Sequence, residues 1–182
     1  YTVVSCYNVL PMGGGAYCLD RLLFPRLADM ASSVDDFMDN ILPSATGALL
    51  EYMNSRIKFL VETSNFFETS FLAKEGLISR DRFCAMFGVA GMSECVAKLL
   101  GLHDGRAYGT DDEANDLADR IMCQVYKQVL GFPAVYSEVS GNRFTLHAQA
   151  GFSDMPGVTP GVRIKVGDEP EVFYDHIRHS AR

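Results

Sequence analysis

Residues 83–94 read FCAMFGVAGMSE, an apolar run that Gly91 separates from a more polar ending. The run from Phe83 to Val89 is typical of a buried strand. After Gly91 the sequence predicts a helix, and a second glycine, Gly101, marks its end. A buried strand that leads into a helix indicates an α/β fold with a largely parallel sheet.

Towards the N-terminus, the sequence predicts another buried strand over residues 1–10, followed by a glycine-rich turn at residues 13–15. Helical spacing of apolar residues, a good N-cap at Ser33 and the helix breaker Pro43 then divide the chain into helical segments. The helices are predicted at residues 19–30, from Ser33 to about Pro43, at residues 45–63 and at residues 68–74.

Towards the C-terminus, Thr110 and Glu113 have the spacing of a capping box, and one apolar face continues to Val129. Gly131 is the predicted C-cap of this helix. Two short strands are predicted at residues 134–139 and 144–150, joined by a turn at residues 140–142. Residues 151–170 are rich in glycine and proline and are expected to form a loop.

The composition is that of one globular domain, with 182 residues and 48% hydrophobic side chains. The net charge of −7 disfavours nucleic acids and anionic membranes as partners. No apolar run has the length of a membrane span. The simplest interpretation of the cysteines is that they are reduced thiols, so we expect a cytoplasmic protein. The odd number of widely spaced cysteines fits neither a disulfide framework nor a zinc site, and no metal site is predicted. The five cysteines are Cys6, Cys18, Cys84, Cys95 and Cys123.

Residues 1–11, YTVVSCYNVLP, resemble the cysteine-loop segment of glycyl radical enzymes, with Cys6 in the place of the reactive cysteine. Residues 158–164, VTPGVRI, resemble a Thr-Pro-Asp-Gly-Arg loop of the same superfamily, and residues 87–94 resemble a strand-to-helix junction of anaerobic ribonucleotide reductases. Together with FTLHAQAGF at residues 144–152, these segments are most similar to the YjjI family of glycyl radical enzymes.

The resemblance implies that residues 1–182 are part of an α/β barrel of the glycyl radical enzyme type, with the cysteine loop at its centre. No run resembles the glycyl radical motif of the superfamily, Arg-Val-x-Gly-Tyr, which lies further downstream. The chain is therefore expected to be a fragment of a larger protein, one that lacks the C-terminal glycyl radical domain and is inactive alone.

The resemblance also implies a radical mechanism for the intact enzyme. A partner, an iron–sulfur activating enzyme that uses S-adenosylmethionine, removes a hydrogen atom from a backbone glycine. The glycyl radical then oxidises the thiol of Cys6, and the thiyl radical takes a hydrogen atom from a small-molecule substrate. A dry, enclosed site protects such an intermediate, and the chemistry is anaerobic. No cofactor is expected on these 182 residues.

Taken without the resemblance, Cys6 is a small buried hydrophobic residue, which is also our interpretation of the other four cysteines. At two positions this sequence differs from other glycyl radical enzymes, and both differences argue against reactions known in the superfamily. Ser5 stands where pyruvate formate-lyase has the first of two cysteines. Asn8 stands where glycyl radical dehydratases have a glutamate base, and an amide does not take up a proton. Asn8 is therefore a candidate substrate-binding residue only.

Four further polar residues are candidates for substrate binding. Glu94 follows the junction of a strand with a helix, which often faces a ligand in α/β folds, but a solvated helix carboxylate is the alternative. His147 and Gln149 share one face of a predicted strand, and a satisfied core histidine is the alternative for His147. Arg163 could bind an anionic group or order its own loop.

Two alternatives to this function remain open. The junction at residues 91–94 also suggests an enzyme like the anaerobic ribonucleotide reductases. The second alternative is a non-catalytic binding protein, which retains the barrel but has lost the radical. A homodimer is compatible with either function.

Overall fold

The computed structural model describes residues 2–3, 9–103, 106–147 and 157–180. Both strands and helices occur in these residues, and helices separate the longer strands, which confirms the predicted α/β class. The strands are β1 (Thr2–Val3), β2 (Val9–Leu10), β3 (Gly15–Leu23), β4 (Phe83–Ala90) and β5 (Thr145–His147). The α-helices are α1 (Phe24–Met30), α2 (Val34–Asp36), α3 (Leu42–Glu62), α4 (Phe66–Thr69), α5 (Phe71–Lys74), α6 (Met92–Leu100), α7 (Asp112–Gly131) and α8 (Phe173–Ser180).

A sheet with the strand order β3-β4-β5 contains the strand predicted at residues 83–89. β5 runs parallel to β4, with Phe87 opposite Leu146, so the predicted parallel pairing is confirmed for these two strands. Among the described residues this sheet has three strands and does not close on itself, so the predicted barrel is not confirmed.

The N-terminal apolar run forms two short strands. β1 and β2 pair antiparallel, with Val3 opposite Val9. The prediction of one strand over residues 1–10 is therefore wrong, because two parts of one continuous strand cannot pair with each other. Apolar composition predicts burial, but it carries no information on where a strand reverses.

β3 and α1 replace the helix predicted over residues 19–30. β3 lies beside β4, where the absence of a side chain at Gly88 leaves room for Arg21: a Cβ there would lie 2.7 Å from the Arg21 Cγ. Sheet pairing therefore decides the conformation of a segment whose apolar spacing also suits a helix. α1 begins only at Phe24, with Pro25 in its first turn, where the missing N–H of proline costs least.

The helix that Ser33 caps does not end at Pro43 as predicted. The Ser33 Oγ accepts a hydrogen bond from the Asp36 N–H at 3.0 Å, which confirms the cap. A turn of π-helix, Phe37–Ile41, then leads into α3, and the Leu42 N–H donates to the Phe37 carbonyl. Pro43 thus falls in the first turn of α3, a position that does not break the helix.

α7 is capped by a different residue from the one predicted. The Asp111 Oδ1 accepts a hydrogen bond from the Ala114 N–H at 3.0 Å, whereas the Thr110 hydroxyl donates to the Ala107 carbonyl. The predicted strand at residues 134–139 is also wrong, since this segment forms turns and a short 3₁₀-helix, Glu138–Ser140.

The chain divides into two compact units, each with its own apolar core. Unit 1 comprises Tyr1–Arg21, Thr46–Gly88 and Tyr126–Ala148, and unit 2 comprises Leu22–Ala45, Val89–Val125 and Gln149–Arg182. Fully buried side chains of unit 1 include Leu50, Met53, Phe87 and Phe144, and those of unit 2 include Phe24, Phe37, Met92, Val96 and Ile121. In the part of the chain that the structure describes, no helix is long and apolar enough to cross a bilayer.

Candidate functional site

The junction between β4 and α6 is built around Gly91, as its position between strand and helix suggested. Its φ of +82° is a left-handed conformation that residues with a side chain rarely adopt. A Cβ on Gly91 would also lie 2.5 Å from the Pro25 ring and 3.1 Å from the Val158 side chain. Glycine therefore allows α1 and the segment containing Val158 to approach the start of α6.

Glu94 is the third residue of α6, and its carboxylate binds Thr159. The Thr159 N–H lies 3.1 Å from both Oε1 and Oε2, and its hydroxyl donates to Oε1 at 2.6 Å. The Gly91 N–H donates in turn to the Thr159 carbonyl at 2.8 Å, and Ala90 forms an antiparallel bridge with Pro160. These contacts hold the segment over residues 157–164 against the end of β4.

This arrangement brings two of the predicted residues to one segment of the chain. Glu94 contacts the segment directly, and Arg163 is part of it, half-buried, with its backbone N–H donating to the Pro160 carbonyl at 3.4 Å. The position of Glu94 after a strand-to-helix junction is confirmed. Contact of either side chain with a substrate stays a prediction.

We expect Thr159→Val in the full-length protein to lower the free energy of unfolding by about 1.5–3 kcal/mol, because it removes the shortest hydrogen bond to the Glu94 carboxylate. The change preserves the shape of the side chain, and the midpoint of chemical denaturation measures its effect. Thr110→Val is the matched control, since its exposed hydroxyl donates only to the Ala107 carbonyl, and we expect it to cost about 0.5 kcal/mol or less. Equal midpoints for the two variants would show that the Glu94 contact is unimportant.

His147 ends β5 and is 5% exposed. Its Nδ1 has no hydrogen-bond partner among the described residues. Burial, followed by the charge of Arg21, lowers the pKa of His147 below its usual value of 6.5. The imidazole is therefore neutral at neutral pH. A role for His147 in binding a substrate stays a prediction.

The other predicted site residues, Cys6, Asn8 and Gln149, lie outside the described residues. Three of the remaining cysteines are buried, and burial raises the pKa of Cys18 and of Cys95 to about 12. Burial also raises the pKa of Cys84, so these three thiols stay protonated at neutral pH. Cys123 is exposed, so its interpretation as a buried hydrophobic residue is wrong.

Sequence reasoning missed Thr159 as the partner of Glu94. The two residues are 65 positions apart, and no local rule predicts such a contact. Two signals were present, an acid in the first turn of a helix and a Thr-Pro pair in a glycine-rich loop.

Within the described residues, no group of three His, Cys, Asp or Glu side chains could hold a metal ion.

Comparison with known proteins identifies relatives along the whole chain. The sequence profile of the family described as "Glycyl radical enzyme YjjI-like" matches residues 1–182. The YjjI protein of Escherichia coli (strain K12) is 42% identical over 173 residues, which cover 94% of this chain and 33% of that protein. A protein of Haemophilus influenzae is 39% identical over 187 residues, covering 100% of this chain and 36% of its own length. The chain thus spans about a third of the curated relatives it matches.

Solved structures show a similar fold at much lower identity. The anaerobic ribonucleotide reductase from Thermotoga maritima, crystallised with citrate in the active site, has a TM-score of 0.57 and 16% identity. The similarity covers 74% of this chain and 24% of that chain. At this identity the likeness concerns the fold alone, whereas the family profile covers every residue. The chain therefore belongs to the YjjI-like family of glycyl radical enzymes.

Proposed function

We propose that the full-length protein is a glycyl radical enzyme in which Cys6 carries the thiyl radical. The match of the family profile to residues 1–182 is the observation that carries this proposal. The fold shared with an anaerobic ribonucleotide reductase over 74% of the chain supports it independently. The radical glycine belongs to the part of the protein outside these residues, and a radical S-adenosylmethionine activating enzyme is the partner that generates it.

The proposed reaction moves one hydrogen atom in each step. The glycyl radical takes the hydrogen atom of the Cys6 thiol, which restores the glycine C–H bond and leaves the unpaired electron on sulfur. The thiyl radical then takes a hydrogen atom from a carbon of the substrate, so that the S–H bond re-forms and the substrate becomes the radical. Sulfur suits this role because its bond to hydrogen is comparable in strength to the bonds it breaks.

We expect the full-length protein to show the electron paramagnetic resonance signal of a glycyl radical under anaerobic conditions. The signal should form after treatment with the activating enzyme, S-adenosylmethionine and a reductant. Exposure to oxygen should abolish the signal. Complete activation without any signal would favour a non-catalytic binding protein.

A function like that of the anaerobic ribonucleotide reductases is the second candidate, and the shared fold is the observation that favours it. Incubation of the activated protein with ribonucleoside triphosphates, followed by chromatography of the products, separates the two. Formation of deoxyribonucleotides would identify a reductase, and a radical signal without such products would indicate another substrate.

A further inference from the structure

A cavity of about 750 Å³ lies in unit 2, bounded by α7, the segment over residues 162–169 and α8. This volume is in the range of sites that bind small molecules. Apolar side chains form much of its wall, among them Ala118, Met122 and Ile164. The rest of the wall is formed by a small number of polar groups at the base and rim. A mostly apolar wall with few polar groups is expected of a site that binds a small molecule.

Two polar side chains at the base of the cavity are more than nine-tenths buried, Tyr108 at 7% exposure and Asn115 at 8%. The Tyr108 hydroxyl donates to the Val162 carbonyl at 3.0 Å. The Asn115 Oδ1 accepts a hydrogen bond from the Gly109 N–H at 2.8 Å, which fixes the orientation of the amide. Its Nδ2 then remains a donor that has no hydrogen bond within the described residues.

The rim of the cavity carries charges of both signs. Asp119 and Glu169 contribute carboxylates, and Arg163 and His176 contribute a guanidinium and an imidazole. Backbone N–H groups, chiefly its own and that of Gly167, lower the pKa of Glu169, and the charges of His176 and Arg163 lower it further. These charges of opposite sign offset one another, so the rim attracts neither an anion nor a cation strongly, which favours an uncharged molecule.

We propose that this cavity binds an uncharged small molecule with an apolar ring and a carboxamide group, whose carbonyl oxygen accepts a hydrogen bond from the Asn115 Nδ2. The ring lies against Ala118, Met122 and Ile164, and the amide N–H groups face the Asp119 carboxylate at the rim. This inference does not depend on radical chemistry, because binding can be measured on the protein before activation.

Benzamide is the probe, titrated into the unactivated full-length protein and followed by calorimetry or ligand-observed NMR. We expect a Kd of about 1 mM, as for a fragment of this size. Benzoate should bind about tenfold or more weakly, because it lacks the N–H groups and would place a carboxylate beside Asp119. Equal binding of benzoate and benzamide, or no binding of benzamide, would overturn the proposal.

Two variants locate the site. Asn115→Asp keeps an oxygen acceptor for the Gly109 N–H but removes the donor, and we expect it to weaken benzamide binding about tenfold or more. Ala118→Met extends a side chain into the cavity and should abolish binding while the protein stays folded by circular dichroism. Asp116→Asn, at an exposed position of α7, is the control and should bind benzamide normally. Normal binding by both cavity variants would show that benzamide binds elsewhere.

Discussion

We expect Cys6→Ser in the full-length protein to abolish turnover while leaving the glycyl radical able to form. A separate enzyme generates the glycyl radical, so its formation does not require Cys6. Hydrogen abstraction from the substrate does require it, because the O–H bond of serine is too strong for a glycyl radical to break. Serine keeps the shape of the cysteine side chain with a smaller terminal atom, and the melting temperature checks that the variant folds.

A measurement that needs no substrate follows from the same chemistry. Hydrogen transfer between the Cys6 thiol and the glycyl radical is reversible, and a thiol exchanges its proton with water. In D₂O the radical of the native protein should therefore gain deuterium at its α-carbon, which collapses the doublet of the paramagnetic resonance signal. In Cys6→Ser the doublet should persist.

The remaining cysteines are the matched controls for this experiment. Cys18, Cys84 and Cys95 are buried thiols with raised pKa values, and Cys123 is exposed on α7. Serine at each of these positions should leave deuterium exchange and turnover substantially intact. The assignment of Cys6 is wrong if its serine variant exchanges normally, or if one of the four controls loses exchange while still folded.

Gly91→Ala is expected to be the most destabilising of the single substitutions considered at the junction of β4 and α6. A left-handed φ costs a residue with a side chain about 1–2 kcal/mol. The new Cβ would also lie 2.5 Å from the Pro25 ring, and overpacking of this kind costs about 1–3 kcal/mol. We therefore expect a loss of about 2–5 kcal/mol in the free energy of unfolding.

Gly101→Ala separates the two contributions. Gly101 follows α6 with a φ of +61°, and no atom would lie within 4 Å of a Cβ added there. This variant should therefore lose only the backbone contribution of about 1–2 kcal/mol. Denaturant midpoints of the two full-length variants provide the comparison. If Gly91→Ala is no less stable than Gly101→Ala, the close approach of Pro25 does not constrain the junction.

The elements that could be predicted are those in which local and tertiary preferences agree. β4, Gly91 and α6 were predicted because an apolar run, a glycine and a helical pattern follow one another without conflict. The segment over residues 19–23 was predicted incorrectly because its apolar spacing suits a helix, while its place beside β4 makes it a strand. The helix end predicted at Pro43 was wrong because a π-turn, which has no clear sequence signal, places this proline in the first turn of α3.

In the candidate site, too, local features could be predicted from the sequence and contacts between distant segments could not. The side chain of Glu94 was singled out because its position after a strand is local information. Its partner Thr159, and the cavity at Tyr108 and Asn115, depend on segments that are distant in sequence and could not be predicted from spacing. Cys6 was singled out from the resemblance of its flanking residues to those of a known family.

The bond between Glu94 and Thr159 also has a consequence for the order of events during synthesis. It closes a loop of 65 residues, and at a translation rate of about 5–20 residues per second Thr159 emerges roughly 3–13 seconds after Glu94. During that interval the carboxylate must remain hydrated, and the nascent α6 has no partner at its first turn. In the complete chain, closing a loop of this length costs entropy before the contact stabilises the fold, so we expect the contact to form after the folding transition state. Losing the Thr159 hydroxyl should therefore accelerate unfolding and leave the folding rate nearly unchanged.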